Sequence, residues 1–323
     1  MTRVKVEVAP NVVLNVIDKG SGERGVVVLL HGFPESSHSW RHQISPLVQA
    51  GWRVLVPDQR GYASSSRPPL VSDYRGDVLA DDVAALIDFA GVTDAVVVGH
   101  DWGAIVTWHV AQRHPSRCRA IVTASVPWTP WPAPPTEVFR RTYGDNFFYM
   151  TYFQIADIPD HELGSDPERF LLSIAHMASG DGMKSLVGEP LPAEGTGLTH
   201  YFEHMIGGRR VDCPNWMPAE DLKVYVEQFA ESGFTGPINW YRNLDANYAI
   251  FDPIGAAPLT MPSYFIAGEI DPVILGRPEY LDRMTADLPN HRATELLADI
   301  GHWVQQEAPD EFNRVLLRWL DEL

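Results

Sequence analysis

The chain has 323 residues, 45% of them apolar, with 42 acidic against 25 basic side chains and a net charge of −17. That length can bury a substantial core, as one large domain or as a domain with an insertion. The acidic balance and the lack of a basic run argue against a nucleic-acid partner, which needs clustered Lys and Arg. They also disfavour anionic ligands at long range, so a neutral one is expected. Cys118 and Cys213 lie far apart and outside any C-x-x-C pattern; reduced thiols are the default, with a single disulfide left open. The N-terminus has no apolar leader and no segment reaches membrane-spanning length, so the expected location is cytoplasmic, without membrane insertion.

In chain order, Val4–Val8 and Val12–Ile17 read as two strands joined by a Pro10-Asn11 turn. Gly25–Leu30 and Arg53–Pro57 follow as strands three and four. Asp77–Phe89 carries Leu79, Val83, Leu86 and Ile87 on one helical face and stops at Gly91. Ala95–Val98 is a β-branched strand, Ile105–Arg113 a helix ended by His114-Pro115, and Ala120–Ala124 another strand. Strands alternating with helices predict a mostly parallel sheet covered on both faces. The alternation breaks at Pro127. From there to about Pro253 the chain is rich in Trp, Pro, Phe, Tyr and Met and reads as helical patches, including a Leu222, Tyr225, Val226, Phe229 face ended by Gly233. Strands resume at Ser263–Ala267 and Thr294–Leu297, and a terminal helix bears Phe312, Leu316, Trp319, Leu320 and Leu323. The expectation is an α/β core, residues 1–127 and 258–323, interrupted by a helical cap at 128–257.

Gly99-His100-Asp101-Trp102-Gly103-Ala104 lies between the Ala95–Val98 strand and the helix that follows. Strand, tight turn of small residues and helix are the context that holds one side chain exposed above a sheet. The side chain here is a carboxylate, Asp101, ionised at neutral pH and nucleophilic without a base. It can attack an electrophilic sp³ carbon and leave an alkyl ester on the protein, which points to epoxide opening or halide displacement. Ligands bind parallel sheets at the carboxyl ends of the strands. Asp271 and His302 each follow a strand and complete the order nucleophile, acid, histidine. Glu269 is a weaker alternative for the acid. His31-Gly32-Phe33-Pro34 follows the third strand, where the backbone N–H of Phe33 would join that of Trp102 in an oxyanion hole.

With these motifs, and with Asp58-Gln59-Arg60-Gly61-Tyr62, the chain resembles the soluble epoxide hydrolases of the α/β-hydrolase fold, the single-domain type without an attached phosphatase domain. The resemblance spans nearly the whole length. It implies an eight-stranded, mostly parallel sheet with the cap inserted after the sixth strand. Two cap segments carry it further. In Phe147-Phe148-Tyr149-Met150-Thr151-Tyr152-Phe153-Gln154 the family's tyrosine stands five residues before the glutamine, which selects Tyr149 over Tyr152. Gly236-Pro237-Ile238-Asn239-Trp240-Tyr241-Arg242-Asn243 selects Tyr241. The resemblance implies that these tyrosines activate the epoxide oxygen and that Asp101 forms a hydroxyalkyl ester. His302, oriented by Asp271, would then activate the water that hydrolyses it to a vicinal diol. Phe33, Trp102, Tyr149, Tyr241 and Trp303 would line the substrate site. No cofactor or metal is expected; the partner is a small, neutral, apolar epoxide, and assembly is open between monomer and homodimer.

The chain departs from the family at Ala63, where Gly-Tyr-Gly is common, and at Ile155-Ala156-Asp157-Ile158-Pro159, which replaces Glu-Pro-Gly. A dehalogenase shares the nucleophile, acid and histidine. Haloalkane dehalogenases, however, usually carry Asn in place of Phe33, and fluoroacetate dehalogenases Arg in place of Trp102. A serine esterase would need G-x-S-x-G, which is missing. A non-catalytic receptor on the same fold would need no intact nucleophile, acid and base. Gly20-Ser21-Gly22-Glu23-Arg24-Gly25 matches a dinucleotide fingerprint but precedes a strand, so it reads as a turn. His38 and His42 have helical spacing without a third ligand, which makes a poor metal site.

Overall fold

The computed structural model describes residues 3–128, 130–208, 211–252 and 259–323. Eight strands, β1 (Arg3–Ala9), β2 (Val12–Lys19), β3 (Gly25–Leu30), β4 (Trp52–Asp58), β5 (Ala95–His100), β6 (Cys118–Ala124), β7 (Ser263–Gly268) and β8 (His291–Leu297), form one sheet. Their order is β1-β2-β4-β3-β5-β6-β7-β8. β1 and β2 run antiparallel to their neighbours, and every pairing from β4 to β8 is parallel. Central parallel strands are covered on both faces, which is why β3 and the first four residues of β5 are unbroken apolar runs. Alternate residues feed two cores. Val26, Val28, Leu30 and Val97 pack with the Gly76–Phe89 and Trp102–Arg113 helices, whereas Val27, Leu29, Val96 and Val98 pack with Trp40, Phe312 and Trp319. β8 lies at an edge and alternates between half-buried and exposed residues. Its first residues are too polar to read as a strand, and pairing with β7 from Ser263 opposite His291 makes them one.

Several core elements were not legible in the sequence. The helix Arg41–Gln49 contains Pro46, and the short helices Pro272–Gly276 and Glu279–Asp287 lie between β7 and β8. The Gly20–Gly25 segment is a turn, with all three glycines at positive φ. Ala63, in the position where glycine is common, has φ +44, so an alanine here bears the left-handed conformation that a glycine would take without strain.

Between β6 and β7 the described residues form helices from Pro135–Tyr143 to Leu244–Phe251, with one isolated bridge between Asn146 and Pro192. This is the expected cap. Its start falls between Ala124 and Pro135, and its expected end at 257 lies outside the described residues. The cap is tied to the core at several points. Trp240 Nε1 donates to the Arg60 carbonyl at 3.1 Å, His38 Nε2 is 2.6 Å from Asp221 Oδ1, and Arg41 donates to the Trp216 carbonyl at 3.0 Å. Gly61 and Gly236 bring two backbones so close that a Cβ on Gly236 would stand 2.7 Å from the Gly61 Cα.

Candidate active site

β5 ends at His100 and the next helix begins at Trp102, so one residue makes the reversal. That residue, Asp101, has φ +52 and ψ −119, a conformation that costs a non-glycine residue about 1–3 kcal/mol and is held only by tight surroundings. The surroundings explain the small residues of the motif. A Cβ on Gly99 would lie 2.0 Å from the Gly103 carbonyl oxygen, and one on Gly103 would lie 2.1 Å from that of Leu30. On the facing loop, a Cβ on Gly32 would lie 2.5 Å from Asp101 Oδ1. The helix start is therefore pressed against the end of β3, which puts the Asp101 carboxylate beside the loop after that strand.

Asp101 Oδ1 accepts a hydrogen bond from the Phe33 backbone N–H at 2.8 Å. Trp102 is the first residue of its helix, where backbone N–H groups have no partner within the helix. Asp101 Oδ2 is 3.5 Å from His302 Nε2. The other ring nitrogen of His302 lies 3.1 Å from both carboxylate oxygens of Asp271. Asp271 is fully buried and caps the Pro272–Gly276 helix through the Val273 N–H. Glu269 is exposed, and it is Asp271 that meets the His302 ring. Burial pushes the Asp101 carboxyl up, but the hydrogen bond and charge of His302, aided by the Phe33 amide, hold it below the usual carboxylate range. Burial alone would lower His302; the two flanking carboxylates outweigh it and raise the imidazole well above its ordinary value.

One buried carboxylate next to these residues lies outside every sequence motif above. Glu35 is buried and accepts from the Gly32 N–H at 2.9 Å, from Gln305 Nε2 at 3.0 Å and from Gln306 Nε2 at 2.8 Å. It also lies 2.9 Å from His100 Nδ1. Burial pushes Glu35 up, and His100, with the Gly32 amide, holds it below the usual range. His100 Nε2 in turn is bonded to the His302 carbonyl at 2.8 Å, which Ser125 Oγ also meets at 2.8 Å. Glu35 thus joins the Gly32-Phe33 loop to the His302 backbone. Its only sequence signal is a carboxylate two residues beyond Phe33 in a segment that the fold must bury.

The cap brings Tyr149 and Tyr241 together with ring centroids 5.8 Å apart. Tyr241 also meets Trp102 at 4.9 Å and Phe33 at 5.4 Å. Burial, with the Asp101 charge adding to it, raises both phenols above their ordinary value, so they stay protonated at neutral pH. Tyr152 is placed differently. Its hydroxyl donates to Glu162 at 2.5 Å, and Glu162 caps the helix Leu198–Met205. Trp303 is 3% exposed, edge-on to His302 at 5.0 Å, with its indole N–H donating to the Ala175 carbonyl. Among the described residues no group of three or more His, Cys, Asp or Glu side chains is arranged to hold a metal ion, and no helix is long and apolar enough to cross a membrane. Both cysteines are free thiols.

A family model for the alpha/beta hydrolase fold matches residues 25–177. Epoxide hydrolase A of Mycobacterium tuberculosis is 39% identical over 96% of this chain and 94% of its own length. The crystal structure of epoxide hydrolase A from Mycobacterium thermoresistibile superposes with a TM-score of 0.89 at 40% identity, covering 99% of this chain and 98% of that one. An epoxide hydrolase from an endophytic Streptomyces superposes at 0.91 with 34% identity, covering 99% and 95%. On sequence and on structure alike, the chain belongs to the epoxide hydrolases of the α/β-hydrolase fold.

Proposed function

We propose that the protein opens a small, neutral, apolar epoxide with water to give a vicinal diol, through an ester on Asp101. The observation that carries this reading is a carboxylate at the strand-to-helix turn, in line with His302 and Asp271, near enough to two paired phenols of the cap for its charge to act on both. In the first half-reaction Tyr149 and Tyr241 hydrogen-bond the epoxide oxygen. Asp101 Oδ2 attacks one ring carbon, its C–O bond breaks, and a phenol supplies the proton to the departing oxygen. Asp101 Oδ1 stays on the Phe33 amide as the ester carbonyl, with the Trp102 amide as the second donor. In the second half-reaction His302, oriented by Asp271, takes a proton from water, and the hydroxide oxygen attacks the Asp101 carboxyl carbon. The oxyanion rests on the two amides and collapses, and the proton on the re-formed Asp101 carboxyl passes to the departing oxygen to give the diol. The proton that His302 released on esterification has restored the phenol, and the imidazole keeps the one it took from water.

The flanking charges give the order of events a physical basis. With Asp101 ionised, His302 sits between two carboxylates and holds its proton. Esterification removes one of those charges, so the imidazole becomes the base only once there is an ester to hydrolyse. Phe33, Trp102 and the two tyrosines would contact the substrate, with Trp303 bracing the imidazole.

The test is styrene oxide with native, Asp101→Ala and His302→Gln protein. Native protein should form the diol and Asp101→Ala none. His302→Gln should lose about 10²–10⁴-fold in turnover and accumulate protein heavier by one epoxide, with the added mass on the Asp101 peptide. A His302→Gln protein that gains no mass would overturn the ester mechanism, and halide release from alkyl halides without diol formation would replace the reaction class.

A further inference from the structure

Tyr149 and Tyr241 stand on cap segments separated by some ninety residues of chain, and their spacing is held by side chains that reach from one segment to the other. Arg242 follows Tyr241 directly. Its Nε donates to the Phe153 carbonyl at 3.1 Å. One terminal nitrogen donates to Asp160 Oδ1 at 3.3 Å and Asn239 Oδ1 at 3.0 Å. The other donates to the Ile155 carbonyl at 2.8 Å and Asp160 Oδ2 at 2.6 Å. A guanidinium has five N–H donors in a fixed plane, and all five are used. Gln154 closes the same joint from the other side, with its amide nitrogen donating to the Met150 carbonyl at 2.9 Å and to the Tyr241 carbonyl at 3.0 Å. The Phe153 ring fills the space between, 4.8 Å from Tyr241 and 5.8 Å from Tyr149.

We propose that Arg242 and Gln154 are positioning residues that fix the two phenols relative to each other over the nucleophile. The proposal rests on the reading of Tyr149 and Tyr241 as the groups that activate the epoxide. The Arg242–Asp160 pair is not a loose surface contact, since the side chains are only 12% and 10% exposed. The clasp also accounts for the tolerance of an unusual loop. The guanidinium grips the carbonyls of Phe153 and Ile155 and the carboxylate of Asp160, so it brackets the Ile155–Pro159 segment where the chain departs from its family. Inside that bracket the chain reverses through Asp157 at φ +64. The loop can change sequence because its first end is held by backbone oxygens, which any residue supplies, and its far end by Asp160, which lies just beyond the altered segment. Lysine cannot replace the clasp, having three donors at one point in place of a planar fork.

The experiment separates the two half-reactions in Arg242→Lys and Gln154→Met full-length protein. Rapid mixing with styrene oxide follows ester formation, and rapid quench with mass spectrometry follows ester breakdown. A misplacement of about 1 Å can cost up to about 10²-fold in rate. Arg242→Lys should therefore slow ester formation about 10- to 100-fold, and Gln154→Met should show a smaller loss of the same kind. Ester hydrolysis belongs to His302 and Asp271 in the core and should stay within about twofold of native. A merely structural role would lower the reactive fraction, or both rates together, and would overturn the proposal; so would native ester formation in both variants. If Arg242→Lys fails to fold, Gln154→Met decides on the same split. No ester in the native protein would overturn the epoxide reading itself and the clasp with it, which distinguishes the two failures.

Discussion

The sheet and the cap hold the groups assigned to the proposed reaction by different means. Asp101, Asp271 and His302 are placed by backbone. Each follows the carboxyl end of a strand, and the nucleophile is fixed by a positive φ and by glycines that leave no room for a Cβ. Tyr149 and Tyr241 are placed by side chains, through ring packing and through the hydrogen bonds of Gln154 and Arg242. Parallel strands impose a repeating geometry that carries these three residues to the same end of the sheet, beyond the carboxyl termini of β5, β7 and β8. Helices of an inserted cap have no such common frame, and their relative positions must be fixed contact by contact.

The largest effect that can sharpen this contrast comes from the tyrosines. Tyr149→Phe with Tyr241→Phe removes both proton donors and should cost ester formation about 10²–10⁴-fold, with each single change costing less because the other phenol remains. Tyr152→Phe should leave the rate of ester formation near native. It should destabilise the fold by about 1 kcal/mol through the lost Glu162 contact. Stopped-flow kinetics and thermal unfolding on the four proteins read both quantities. A Tyr152→Phe enzyme slowed as severely as the Tyr149 variant would mean that the first segment has been assigned to the wrong ring.

The same contrast explains what could be read before the fold was known. The six parallel strands, the elbow and the three core residues all leave local marks: β-branched runs, glycines at fixed offsets, and acid and histidine just after strands. The sheet's edge was the exception, because half of β8 faces solvent and looks polar. In the cap, the choice of Tyr149 over Tyr152 came from spacing within a resemblance, since two aromatic residues three apart share a helix face and composition cannot rank them. The partner that the structure gives Tyr152, Glu162, lies beyond any local pattern. Glu35 and Arg242 were missed for the same reason: each acts through partners distant in sequence, Gln305 and Gln306 for one, Phe153 and Asp160 for the other.

A pH series tests whether the core site switches by charge alone. Asp101 is held below the usual carboxylate range while it is ionised beside His302. Ester formation should therefore persist into acid below the range where an ordinary carboxylate titrates, and fall only as acid protonates Asp101. Ester hydrolysis needs neutral His302, so its rate should rise about tenfold per unit with increasing pH and level off above the imidazole's value in the ester. Because the ester has lost the Asp101 charge that helps raise His302, that midpoint should lie below the His302 titration of the free protein followed by NMR. Coincident midpoints would show that the carboxylate charge is not the switch.

The smallest effects compare one glycine from each region. Gly103→Ala drives a methyl to 2.1 Å from the Leu30 carbonyl oxygen, against backbone that cannot swing aside as a flexible side chain would. It should destabilise by about 1–3 kcal/mol, as overpacking does, and slow both half-reactions because the helix start moves together with Asp101. Gly164 lies in the cap helix Ile158–Ser165 with nothing within 4 Å of a Cβ. Gly164→Ala should stabilise by up to about 0.5–1 kcal/mol by restricting the unfolded chain, at the lower end because the site is near the helix terminus. It should leave both rate constants alone. Thermal unfolding and the two rate constants decide the matter. A Gly103→Ala protein with native stability would mean that the sheet end yields more readily than its packing implies, and Asp101 would then need a second constraint. A change in ester formation on Gly164→Ala would mean that the cap transmits strain along its helices to the Asp160 end of the clasp, so that the phenols are held by the cap as a whole and less by the hydrogen bonds that join their two segments.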